Sequence, residues 1–278
     1  MNIFDAIVVN PIINVLLFIY QGLFILNVPY ALGFSIIVLT IIIRFILYPL
    51  TTAQLKASKK MQEVAPHVSK LKEKHKGDAK MLQAETMRLY KEFGVNPAAG
   101  CLPLLIQLPV IWGLYTVLIK VINLGANTVS DVNKIAYFDF VKISKPWDVY
   151  FFGFPLSKNP SELLSSMGIL ILAIPILTGV FQFIQSKMMM SAKPKEDNKK
   201  LSEAKSASGG KKEDFATAFQ TQSLYIFPVM IGFFSYTFPI GLSLYWNTFT
   251  IFGIIQQYKV SGLGGLEELI KKYGKIIR

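Results

Sequence analysis

A single cysteine, Cys101, stands among 278 residues, so no intramolecular disulfide can staple the fold. Charge is scarce as well: 17% of residues are charged and 52% hydrophobic, against roughly 25% charged in an average soluble domain. Acidic residues are scarcer than basic ones, 17 against 29, for a net charge of +12. This profile argues against a soluble globular enzyme, and the apolar content excludes disorder of the whole chain. Catalytic signatures are missing too. His67 and His75 are not at HExxH spacing, and neither a P-loop nor a Rossmann fingerprint occurs. Cys101 has no histidine beside it and reads as a small buried residue. We read no enzyme, no metal site and no cofactor.

The apolar residues are segregated. Residues 6–43, 93–119, 163–186 and 215–258 contain no Asp, Glu, Lys or Arg. A membrane-crossing helix needs about 20 mostly apolar residues. The last stretch is long enough for two spans, with a turn at Phe238-Pro239-Ile240-Gly241. The expected fold class is an all-α polytopic membrane protein with five transmembrane helices, at 31–53, 97–122, 162–187, 219–238 and 239–258. The first 30 residues read differently. Asn10, Asn14 and Gln21 fall within about 40° of one another on a helix, a polar stripe that suits a helix lying in the membrane interface. A sixth span or a signal segment is the alternative, although no basic residue precedes the apolar run as a cleaved signal would require.

Basic residues set the orientation. Residues 54–96, 188–218 and the 259–278 tail hold most of the 29, residues 1–43 hold none, and the 123–161 loop holds Lys134, Lys142, Lys145 and Lys158. The excess of Lys and Arg on cytoplasmic segments then places the N-terminus outside and the C-terminus in the cytoplasm. The outer loop is rich in aromatics, among them Phe138, Phe140, Trp147 and Phe152, which favours a position at the membrane–water boundary. Residues 54–96 carry Met61, Val64, Val68 and Leu71, then Leu82, Leu89 and Phe93, at helical spacing around a turn at Gly77-Asp78. This is a helical hairpin, either simply solvated or a docking platform. Residues 188–218 read as a flexible Lys- and Ser-rich linker. The basic tail suits anionic lipid or a phosphate backbone, but no nucleic-acid motif accompanies it, and DNA is not an expected partner.

One residue breaks the pattern. Arg44 is the only ionisable residue well inside an expected span, and a central Arg costs about 2.5–3.5 kcal/mol on insertion scales. It either snorkels toward the cytoplasmic face or stands as a fixed positive charge in a wet, protein-lined cavity. Gln107, Gln182, Gln185, Ser243, Tyr245, Trp246 and Asn247 could line such a cavity. Each alone is more often a helix–helix hydrogen bond.

Several motifs then occur in a telling order: Gly33-Phe34-Ser35 through Ile43-Arg44-Phe45, Tyr48-Pro49-Leu50-Thr51, Lys60-Met61-Gln62, Gly94-Val95-Asn96-Pro97 to Gln107-Leu108-Pro109, Phe183-Ile184-Gln185, and Phe238-Pro239-Ile240-Gly241-Leu242 to Tyr245-Trp246. Together, over about residues 30–260, they resemble YidC-type membrane protein insertases of the YidC/Oxa/Alb superfamily, in a short form without the large extracytoplasmic domain. The resemblance implies a bacterial inner-membrane insertase and chaperone with five core spans around a hydrophilic groove open to cytoplasm and lipid. Nascent membrane proteins and the lipid bilayer are its expected partners, with the Sec translocon and the ribosome as further ones. By the same resemblance Arg44, Gln185 and Trp246 are groove residues, with Gln107 and Tyr245 as secondary candidates. A small-solute transporter and a structural membrane scaffold are the rival functions.

Overall fold

A computed structural model of the chain describes residues 3–75, 77–96, 108–109, 111–113, 115–116, 119, 128–190 and 215–274. Most of the expected second span, with Cys101 and Gln107, and residues 191–214 of the expected linker lie outside the described residues. What is described is mostly helical, as the fold class anticipates. The chain divides into two compact units. One holds Met1–Leu47, Leu104–Gln182 and Phe227–Phe252; the other holds Tyr48–Pro103, Phe183–Ile226 and Gly253–Arg278.

In the first unit a π-helical turn, Asp5–Val9, runs into α1 (Asn10–Ile25), with Pro11 in the first turn, where its missing N–H does no harm. Asn27 and Tyr30 both take positive φ, 54° and 55°, and with Pro29 they break the helix before α2 (Ala31–Ile46) begins. Val9, at the end of the π-helical turn, and Ile13, Leu16, Leu17 and Tyr20 of α1 form one buried stripe; Leu32, Ile36 and Leu39 of α2 join them in one core. Tyr20 meets Trp147 edge to face at 5.4 Å.

The polar stripe of α1 is occupied by the chain itself. Asn14 Nδ2 donates to the Ile135 carbonyl (3.0 Å), and its Oδ1 accepts from the Tyr137 N–H (2.6 Å). Gln21 Nε2 donates to the Lys142 carbonyl. These bonds hold α5 (Thr128–Ile135) and the 3-10 turn Asp139–Val141 against α1. Asn133 braces the same loop through two bonds to Ile143, each 2.9 Å. Lys142 donates to Asp139, and its hydrogen bond and charge hold that carboxyl below the ordinary carboxylate range.

Next comes a two-residue hairpin, β1 (Tyr150–Phe151) and β2 (Phe154–Pro155). Its turn residues Phe152 and Gly153 both have positive φ, as a type I′ turn demands. The Phe151 ring lies over Gly33 so closely that no Cβ would fit there. Asn159 then caps α6 (Pro160–Met167) and donates to the Thr237 carbonyl at 3.1 Å. Gly168, at φ 70°, ends α6, and a 3-10 turn (Ile169–Leu172) leads into α7 (Ala173–Met188). The third apolar stretch is thus broken near its start. α8 (Phe215–Thr237) and α9 (Ile240–Ser261) meet at Phe238-Pro239. The N–H groups of Ile240 and Gly241 there donate to the carbonyls of Lys158 and Leu156, each at 2.9 Å.

In the second unit α3 (Tyr48–Lys74) and α4 (Ala79–Glu92) form a hairpin. Asp78 caps α4 by accepting from the Met81 N–H at 3.0 Å. Pro66 sits inside α3 without ending it. Val64, Val68 and Val95, with Met61, Leu89 and Tyr90, make a small core, and His67 faces the Phe93 ring at 5.2 Å. Gln256 of α9 clamps the start of α3: its Nε2 reaches the Tyr48 carbonyl (3.1 Å), Thr51 Oγ1 (2.6 Å) and Thr52 Oγ1 (3.1 Å). α10 (Leu266–Gly274) follows Gly265, whose N–H donates to the Met190 carbonyl at 2.7 Å.

By length and apolar composition Asp5–Ile25 and Ile169–Met188 can each cross a membrane, and Ala31–Ile46 with Tyr48–Leu71 qualifies as a broken pair. Leu224–Thr237 is a shorter apolar helix. The N-terminal segment, expected to lie in the interface, is therefore long enough to span.

Candidate functional site

Arg44 sits in the last turn of α2, after the buried face formed by Ser35, Ile36, Leu39 and Thr40. Ser35 and Thr40 turn their hydroxyls back to the carbonyls four residues earlier, at 2.6 Å each. They satisfy themselves within the helix, as hydroxyl residues in apolar helices commonly do. Arg44 cannot. Its side chain runs to α9, where the guanidinium carbon stands 3.3 Å from the centroid of the Phe249 ring and a terminal nitrogen donates to the Phe249 carbonyl. Phe252, one turn on, lies 5.8 Å away. The residue is 4% exposed, so protein encloses the cation. A desolvated stack of this kind is worth about 2 kcal/mol, and a charge-assisted hydrogen bond about 1.5–3 kcal/mol. Among the described residues Nε meets no acceptor. Two buried oxygens of α9, Asn247 Oδ1 and Thr250 Oγ1, meet no donor among them.

Tyr245 precedes Phe249 by one helical turn and packs against it at 5.8 Å. It is fully buried and belongs to the core of the first unit. Trp246, the next residue, looks toward a different helix: its indole N–H donates to Gln182 Oε1 on α7 at 3.2 Å. Arg44, Tyr245 and Trp246 thus fall in one unit, the first two linked through Phe249. Gln185 belongs to the other unit, half-buried on α7. Gln107 lies outside the described residues.

Two features escape sequence reasoning. The partner of Arg44 is Phe249, whose one signal is its place a turn beyond Tyr245. Beside the site, a chain of hydroxyls joins three helices: Thr178 to Ser235 at 3.1 Å and Ser235 to Ser243 at 2.8 Å. Gly179 and Gly232 let α7 and α8 approach closely there, the small-residue packing that membrane helices favour.

A family model described as "60Kd inner membrane protein" matches residues 24–263. The chain belongs to this family. Relatives named as membrane protein insertases match the chain as well, so the resemblance of the motifs to YidC-type proteins is borne out. A membrane protein insertase YidC of Fusobacterium nucleatum is 32% identical over 232 residues, covering 84% of this chain and 87% of the relative. ALBINO3-like protein 1, chloroplastic, of Arabidopsis thaliana is 29% identical over 280 residues, covering 97% of this chain and 51% of the relative. Among solved structures, an active YidC insertase with its first transmembrane domain resolved aligns at a TM-score of 0.55 and 24% identity, over 93% of this chain and 47% of that one. The last shows a shared fold. The chain spans about half the length of the chloroplast relative and of the solved insertase. Membership, with the apolar helices, makes it a multi-pass inner-membrane protein.

Proposed function

We propose that this chain is a membrane protein insertase that integrates nascent membrane proteins into the bilayer, with its N-terminus outside and its C-terminus in the cytoplasm. The observation that carries the reading is the enclosed cation. Arg stays charged under any biological condition, and within its own unit Arg44 is held by an aromatic face and a carbonyl, neither of which neutralises it. A polypeptide tail that must cross lipid meets dry hydrocarbon, where each unsatisfied polar group costs several kcal/mol. A hydrophilic groove lined by Arg44, Gln107, Gln185, Tyr245 and Trp246 shortens that dry path. Arg44 attracts acidic residues of the tail, and the apolar segment leaves sideways into lipid, driven by burial of its own surface. The step needs neither nucleotide nor covalent chemistry.

In this reading five spans surround the groove, the α3–α4 hairpin and the basic tail face the cytoplasm, and residues 123–161 lie outside. The hairpin and the tail are the surfaces offered to the ribosome, and the Sec translocon is a second partner. Reconstitution into protein-free liposomes tests the proposal. An insertase integrates a small single-span protein without ATP. Solute uptake without integration supports the transporter instead, and neither activity leaves a scaffold.

A further inference from the structure

The surface of α1 that faces away from its core is apolar and open. Val15, Phe18 and Ile25 lie within about 80° of arc on the helix and are 40%, 62% and 74% exposed. Beside this strip runs the polar stripe of Asn14 and Gln21, already engaged with the 135–142 loop. That engagement carries the apolar surface onto the loop: Phe140 meets Phe18 edge to face at 6.3 Å, and Phe138 stacks on Phe140 at 5.3 Å. Phe138 and Phe140 are 57% and 66% exposed.

Charge on this loop is paired locally. Lys134 meets Asp131 at 2.8 Å, and Lys142 meets Asp139 at 2.6 Å, so each pair brings no net charge to be desolvated. Yet Asp139 stands fully in the open between the two phenylalanines. Hydrocarbon would not tolerate it, whereas the headgroup layer does. Aromatic rings beside paired charges match the boundary between headgroups and acyl chains, where one side is apolar and the other wet.

We propose that Phe18, Phe138 and Phe140 form one aromatic wedge seated in the headgroup–acyl boundary of the bilayer, and that Asn14 is the positioning residue that holds the loop half of the wedge on α1. The occupant of this surface is lipid. The claim needs only a membrane around the protein; which leaflet receives the wedge follows from the orientation proposed above.

Depth measurement by spin label tests it on the full chain in vesicles of phosphatidylcholine and phosphatidylglycerol without other protein. Nitroxides are placed singly at Phe18→Cys, Phe138→Cys and Phe140→Cys in a Cys101→Ser background. All three should collide more often with oxygen than with a water-soluble nickel chelate, at a shallow depth common to the three. Asn14→Ala should raise chelate collisions at 138 and 140 while leaving 18 unchanged. Free access of the chelate at 138 and 140 in the parent overturns the wedge and makes the surface a docking site for another protein. A depth at the bilayer centre overturns the boundary placement. No change on Asn14→Ala overturns the positioning role. Should the Cys101→Ser background fold poorly, Phe140→Trp in the natural chain gives the same answer: lipids brominated near the headgroup should quench the added fluorescence more than lipids brominated near the chain ends. Insertion activity is a separate readout, so loss of the wedge and loss of the insertase reading are distinguishable.

Discussion

Removing the charge at position 44 should separate substrates by the acidity of their crossing tails. A tail carboxylate brought to about 4 Å from the guanidinium gains about 1 kcal/mol in surroundings as polar as water and about 4 kcal/mol at an effective dielectric near 20. The wet groove proposed above falls between these limits. At about 1.4 kcal/mol per factor of ten, Arg44→Ala should slow insertion of a substrate with one acidic tail residue by about fivefold to several-hundredfold. A neutral-tailed version should lose only what the folded population loses. That structural loss is real, because the substitution also removes the stack on Phe249 and the bond to its carbonyl. The ratio of acidic-tail to neutral-tail rates on one preparation cancels it. Arg44→Lys should keep the ratio near that of the parent but lower thermal stability by about 1–2 kcal/mol, since an ammonium cannot lie flat on a ring while donating sideways. Rates come from protease protection of the translocated tail in liposomes. A parental ratio in Arg44→Glu would refute the electrostatic argument outright.

Three further substitutions test the frame around the site. Gln256→Leu removes a side chain that bridges Tyr48, Thr51 and Thr52 to α9; a loss of about 1–3 kcal/mol should appear as faster hydrogen exchange over residues 48–56, and unchanged exchange would discount the clamp. Gly33→Ala drives a methyl group into the Phe151 ring and should destabilise by about 1–3 kcal/mol in detergent melts, with partial rescue by Phe151→Ala; a neutral effect would mean the ring moves freely. Ser235→Ala takes the middle from the hydroxyl chain, and double-mutant cycles with Thr178→Val and Ser243→Ala should each give coupling near 0.6 kcal/mol, whereas zero in both would deny that the chain ties three helices.

Local chemistry was easy to read in the sequence. The breaks at Gly77-Asp78 and Phe238-Pro239 coincide with helix ends because each supplies a φ or a missing donor that a helix cannot use. The break at Gly168 went unread, since one glycine in an apolar run is normally tolerated. The singularity of Arg44 was legible from composition alone, but its partner was not. Nothing in a one-dimensional pattern says that Phe249, rather than a polar residue, would take the cation, because an aromatic on an apolar helix looks like lipid-facing bulk. The stripe of Asn10, Asn14 and Gln21 is legible and its neighbour is not, for a similar reason: periodicity gives the face of a helix but not what covers it. Here that cover is backbone from more than a hundred residues away. Trp246 is another such case, since sequence marks it as polar-tipped and only the fold supplies Gln182.

The bond between Asn14 and Ile135 also sets a schedule. The two residues are 121 positions apart, and ribosomes add about 5–20 residues per second. For roughly 6–24 s after Asn14 is made, its carboxamide has the carbonyl of Asn10, to which it also donates at 2.8 Å, but neither the Ile135 carbonyl nor the Tyr137 N–H. During that interval water or a helper must stand in for the Tyr137 N–H at Oδ1, so α1 has reason to linger at the wet edge of the membrane. On the proposed reading, this chain carries in α1 the difficulty it would relieve in others, a polar group that must wait for the rest of the polypeptide to arrive.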